Sequence, residues 1–91
     1  MITLKTSGNE AHPVTVYPAN EPMRREMASS YADIRKLLDG GYVEVAENNG
    51  RLCVICDEEG RIKDLPQNVH FEGYVGTVII APIGLLGPIS F

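Results

Sequence analysis

Cysteine is scarce in this chain of 91 residues, basic side chains are outnumbered, and no long apolar run is free of helix breakers. Each shortage excludes something. Two cysteines cannot build a disulfide scaffold, and free thiols fit a reducing cytoplasm. Eight Lys and Arg against twelve Asp and Glu give a net charge of -4. Nucleic-acid backbone needs a clustered positive surface, so nucleic acid is not an expected partner. The start, Met1-Ile2-Thr3-Leu4-Lys5, lacks the apolar run and cleavage site of a signal peptide, and a cytoplasmic protein is expected. Charge is missing altogether from Gly73 to Phe91. A membrane span would need about 20 helix-compatible apolar residues. Pro82, Gly84, Gly87 and Pro88 interrupt the stretch, and lipid cannot replace the backbone donor lost at a proline. No membrane partner is expected.

What remains is a globular composition, 44% hydrophobic and 22% charged. The length predicts one domain over residues 1–91 that buries only about 60–65% of its unfolded surface. Its uncharged segment, 73–91, has two readings. Val75 to Ile80 reads as a central strand buried on both faces, with the tail packed over the domain's own open side. Alternatively, Ile83, Leu85, Leu86, Ile89 and Phe91 cover a neighbouring subunit, which makes a homo-oligomer.

Along the chain, Met1 to Lys5 is a short β-branched run ended by the turn cluster Ser7-Gly8-Asn9-Glu10. Val14-Thr15-Val16-Tyr17 alternates between Pro13 and Pro18 and reads as a strand near an edge. Met23 to Met27 fits either a strand or the first turn of a longer helix starting at Glu21. After Ser29 a helix is predicted: Ser30 with Asp33 approximates a capping box, and Tyr31, Ile34, Leu37 and Leu38 recur at helical spacing. Gly40 or Gly41 ends it. Tyr42 to Ala46 and Leu52 to Cys56 then read as strands around a turn at Glu47-Asn48-Asn49-Gly50. A second turn falls at Asp57-Glu58-Glu59-Gly60, and Arg61-Ile62-Lys63 begins a third strand or an extended arm. The fold class that follows is α+β: a mainly antiparallel sheet of about five to six strands with one main helix.

No constellation supports catalysis, so the protein is expected to be no enzyme and to need no cofactor. Cys53-Val54-Ile55-Cys56 has metal or redox spacing but sits in a strand, where positions three apart face opposite sides. A zinc site would need two more ligands, with only His12 and His70 to draw on outside the carboxylates, and no metal is expected. Asp57-Glu58-Glu59 lacks the following oxygen ligands of a calcium loop and reads as a solvated hairpin tip. Gly40-Gly41 and Gly73-x-x-Gly76 do not open a helix with a lysine in place, as a phosphate loop would. Arg24-Arg25 and Arg35-Lys36 are either solvated faces or an anion-binding wall.

Leu38 to Glu44, Leu52 to Gly60, Leu65-Pro66-Gln67-Asn68 and Gly76 to Ile80 carry a resemblance. Their order resembles a family of small domains of unknown function, number 3846, found in bacteria, mobile elements and phages. That family runs helix, V-G-G-Y-I-E-like segment, apolar strand, D-E-E-G-like turn, L-P-x-N segment and G-D-V-V-V-like strand. The likeness covers roughly residues 30–81. Two departures stand out: Asn68-Val69-His70-Phe71 where members often carry Asn-Arg and then Ala-Thr, and Gly76-Thr77 for Gly-Asp. The resemblance implies an intracellular, often phage-encoded accessory protein, and no established activity.

Three functions are weighed. The first is a non-enzymatic homo-oligomer that binds a small anionic ligand of nucleotide type between subunits and could sequester it. Arg24, Arg25 and Arg61 with Asn68 would hold phosphate, and Tyr42 and Tyr74 would stack on a base. The second is an adaptor or inhibitor docking a host protein through the apolar C-terminus or a sheet edge. The third is a purely structural domain.

Overall fold

A computed structural model describes residues 11–82. Its elements are β1 (His12–Tyr17), β2 (Arg24–Ala28), α1 (Tyr31–Leu37), β3 (Val43–Asn48), β4 (Leu52–Asp57) and β5 (Val78–Pro82). The five strands make one sheet in the order β2-β1-β5-β4-β3, antiparallel at every pairing. The helix is only seven residues long, so α+β describes the domain loosely: it is a sheet with one short helix against it. The expected strand at Met1 to Lys5 and the apolar residues Ile83, Leu85, Leu86, Ile89 and Phe91 lie outside the described residues.

Alternation explains which face is filled. Val14 and Val16 of β1, Cys53 and Ile55 of β4, and Ile79 and Ala81 of β5 point to one side and are buried there with Ile34 and Leu38 of the helix. β5 is the central strand, as its run of apolar residues predicts, although the ladder starts at Val78 rather than Val75. The helix start is the expected one: Ser30 Oγ accepts from the Asp33 amide at 3.2 Å, and Asp33 Oδ2 accepts from the Ser29 amide at 2.8 Å. At the other end Asp39 and Gly40 both take positive φ (58° and 83°), and the Arg35 guanidinium donates to the Gly40 and Gly41 carbonyls.

Of the two readings of Met23 to Met27 the strand holds, over Arg24–Ala28: the chain doubles back through the Pro18–Pro22 loop and pairs with β1. The stripe of Met23, Met27 and Tyr31 that would have extended the helix is left on the surface. That pairing gives the edge to β2 and sets β1 one place in from it, near the edge as expected. Pro13 is tolerated because it lies past the short Thr15–Tyr17 ladder with β5. Arg61-Ile62-Lys63 forms no strand. It coils back in successive turns, with the Lys63 amide on the Glu59 carbonyl and the Leu65 amide on that of Gly60. The first turn begins after Asn48 rather than at Glu47, because a register slip at Ala46 lets β3 run on.

The second face of the sheet is half covered. Residues 65–77 cross it: Phe71 packs edge-on against Tyr17, and Tyr74 reaches Glu47 with its hydroxyl. Asn68 pins this crossing. Its Nδ2 donates to the carbonyls of Tyr17 and Gly76 (2.9 and 2.8 Å), and its Oδ1 accepts from the amides of His70 and Phe71 (2.7 and 3.2 Å). The rest of the face, with Thr15, Leu52, Val54 and Ile80, is only partly shielded. Removing the carboxamide in Asn68→Ala strands four backbone groups. The expected loss is about 3 kcal/mol of unfolding free energy, read by urea denaturation.

Candidate functional site

A cleft of about 450 Å³ opens on the helix side, at the end of the sheet where β4 finishes and β5 begins. Its apolar walls are Leu37 and Leu38 from α1 and Leu65 from the crossing segment, and Thr77 borders it ahead of β5. Five charged side chains line it: Glu21, Arg24, Asp39, Asp57 and Lys63.

Asp57 anchors this corner. It continues the inward-facing series Cys53, Ile55 and so ends up with its side chain 4% exposed, bonded by Lys63 Nζ to Oδ2 at 2.7 Å. Its Oδ1 accepts from the Glu59 amide at 2.9 Å. Burial pushes the carboxyl up, but the Lys63 hydrogen bond and the Glu59 amide outweigh it and hold the group below its ordinary value. The same bond raises the Lys63 ammonium. A Cβ on Gly41 would overlap the Asp57 carboxylate, so only glycine leaves room for the pair. The expected solvated hairpin tip is thereby corrected: Asp57 is buried, while Glu58 stays exposed and Glu59 half-exposed.

Of the residues expected from sequence, Arg24 alone lines this cleft, its Nε donating to Glu26 at 2.6 Å. Arg25 is exposed on the opposite face of β2, across from Thr15. Tyr42 lies under the Arg35 guanidinium, 4.7 Å from the ring centroid. Arg61 and Tyr74 meet in a separate, smaller notch with Glu44, Cys56 and Glu58. There Arg61 donates to the Gly73 carbonyl, and the hydrogen bond to Glu47 pushes the Tyr74 phenol up to about 12. Asn68 spends its whole carboxamide on backbone groups. The cysteines occupy opposite faces of β4 and are free; burial raises both thiols, Cys56 to about 11 with help from Glu44.

Sequence reasoning missed Lys63, Asp57, Asp39 and Glu21. One signal was available: an acid in step with Cys53 and Ile55 at an inward position of β4 demands a buried partner. Nothing in the spacing names Lys63 as that partner, because Arg61-Ile62-Lys63 carries no turn signal and reads as extended chain.

Among the described residues, no helix is long and apolar enough to cross a membrane, and no group of three metal-ligating side chains gathers. The model of the family described as "Domain of unknown function (DUF3846)" matches residues 12–84. The chain belongs to this family. The match is wider than the expected 30–81 and takes in β1 and β2, so the DUF3846 unit comprises all five described strands and the cleft. No curated protein and no solved structure matches the chain.

A depressed carboxyl stabilises the fold above its unfolded value of about 3.9 and loses that contribution as pH falls through the lower native value. The stability advantage of the wild type over Asp57→Asn is therefore expected to be constant near neutrality and to decline progressively once the pH drops below about 4. Urea titrations of both proteins across that range measure it.

Proposed function

We propose that this DUF3846 protein is a non-enzymatic binding protein, working as a homo-oligomer, that takes a small anionic ligand of nucleotide type into the cleft beside Asp57. The observation that carries this reading is the pair of cations with unspent donors. Arg24 uses Nε on Glu26 and keeps its terminal nitrogens, and Lys63 uses one proton on Asp57 and keeps two. Charge-assisted bonds from such groups to phosphate are the strong ones. Leu37, Leu38 and Leu65 supply an apolar wall for a base or sugar, and the volume falls in the range of small-molecule sites. The cleft is built by one chain, so the ligand's place shifts from between subunits to within each of them. Binding of this kind asks for no catalytic group, and a phage or mobile-element accessory protein would use it to sequester a host nucleotide signal.

The adaptor reading is favoured by a different observation, the half-open sheet face with Leu52 at 47% and Met27 at 60% exposure. A sheet edge serves it poorly. β2 carries Arg24, Arg25 and Glu26, and β3 carries Glu44 and Glu47 with a bulge between Val45 and Glu47.

A thermal-shift panel of nucleoside phosphates and cyclic nucleotides tests the first reading. At least one member is expected to raise the melting temperature. Arg24→Ala or Lys63→Met should weaken its binding about tenfold or more, as loss of a charge-assisted bond does. A flat response across the panel, together with a stoichiometric protein partner held by the sheet face, would move the assignment to the adaptor.

A further inference from the structure

The charge inventory of the cleft carries a more specific assignment, which rests on the nucleotide-binding reading above. Arg24 and Lys63 are each matched by a carboxylate, Glu26 and Asp57. Glu21 and Asp39 also line the cleft, and among the described residues neither carboxylate makes a hydrogen bond or ion pair. An ionised carboxylate only accepts hydrogen bonds. Two of them beside a bound anion repel it unless the ligand brings donors of its own. The ligand that fits therefore has two ends: an acidic one for the cations and a donor-bearing one for a carboxylate.

The common bases differ at this point. On its pairing edge guanine offers two adjacent donors, the ring N1–H and the 2-amino group, which match the two oxygens of one carboxylate. Adenine and cytosine offer one amino donor beside a ring acceptor, and uracil one N–H between two carbonyls. A carboxylate thus holds guanine by two parallel bonds and sets a lone pair against a lone pair in adenine or cytosine.

We propose that the cleft selects guanine nucleotides and that Asp39 reads the base. Asp39 suits the task better than Glu21 because its backbone is fixed. It sits just past α1 with φ 58°, its amide on the Lys36 carbonyl at 3.0 Å and the next amide, Gly40, on that of Arg35 at 2.8 Å. Its neighbours Leu37 and Leu38 are the apolar wall along which a purine would lie. Glu21 lies in the Pro18–Pro22 loop, three residues from Arg24, at the corner assigned to phosphate. Asp39 is then a specificity determinant, and Arg24 and Lys63 hold the phosphate whatever the base.

Calorimetric titration of the full chain with guanosine, adenosine, cytidine and uridine 5′-monophosphates is the test. The guanosine compound is expected to bind at least about fivefold tighter than the other three, the low end for one good bidentate contact. Asp39→Asn should reduce that preference to about twofold or less at an unchanged melting temperature, because asparagine adopts positive φ as readily as aspartate. Glu21→Gln should leave the preference standing. Equal affinity for all four nucleotides overturns the guanine assignment and keeps the nucleotide reading. A preference that survives Asp39→Asn but is lost in Glu21→Gln overturns the role of Asp39. Binding of none of the four, by a protein that also ignores cyclic and higher phosphates, overturns both.

Discussion

One ion pair, a buried carboxylate met by an exposed ammonium, organises the functional end of this domain. Asp57 ends β4 facing inward, where an unpaired carboxylate would be driven to the neutral form or out of the structure. Lys63 answers it from a chain segment that must coil back to do so, which fixes the turns after β4 and brings Leu65 and Pro66 over the cleft. Gly41 is held to a hydrogen at Cα by the same carboxylate, so the exit from the helix is fitted against the pair as well. With its ammonium partly in water, such a pair contributes only modestly to net stability. Its value lies in placement: α1, the end of β4 and the crossing segment meet at one corner because of it.

Much of the sheet was legible in the sequence, since period-two burial leaves its mark on any strand with one filled face. Val14 and Val16, Cys53 and Ile55, and the uncharged run around Ile79 announce their strands without ambiguity. The helix start was equally plain, because Ser30 and Asp33 act locally. Met23 to Met27 was undecidable for a physical reason. Its apolar spacing suits a helix, and what makes it a strand is pairing with β1 across a loop that composition does not describe. The same partner takes the edge and sets β1 one place in from it.

The candidate site was less legible. Of six expected residues only Arg24 borders the cleft beside Asp57. Asn68 illustrates why: a polar side chain beside a proline segment suggests recognition, yet here it recognises the chain itself, replacing a stretch of missing sheet ladder between Tyr17 and Gly76. The charged lining comes from the loop before β2, the end of α1 and the turns after β4. Such an assembly exists only once the corner has closed.

The slip at Ala46 has a reach beyond its single residue. It lets Glu44 and Glu47 share one face, opposite Cys56 and Val54, although an odd number of steps separates them. Tyr74 finds its carboxylate there because the slip turns Glu47 to that face. The same residues paired without the slip would set Ala46 opposite Val54 and Glu47 opposite Cys53, which carries the second acid to the helix side and leaves the phenol without its acceptor. The irregular spot in β3 thus aims an acid at the crossing segment and ties that segment to the sheet through a side chain.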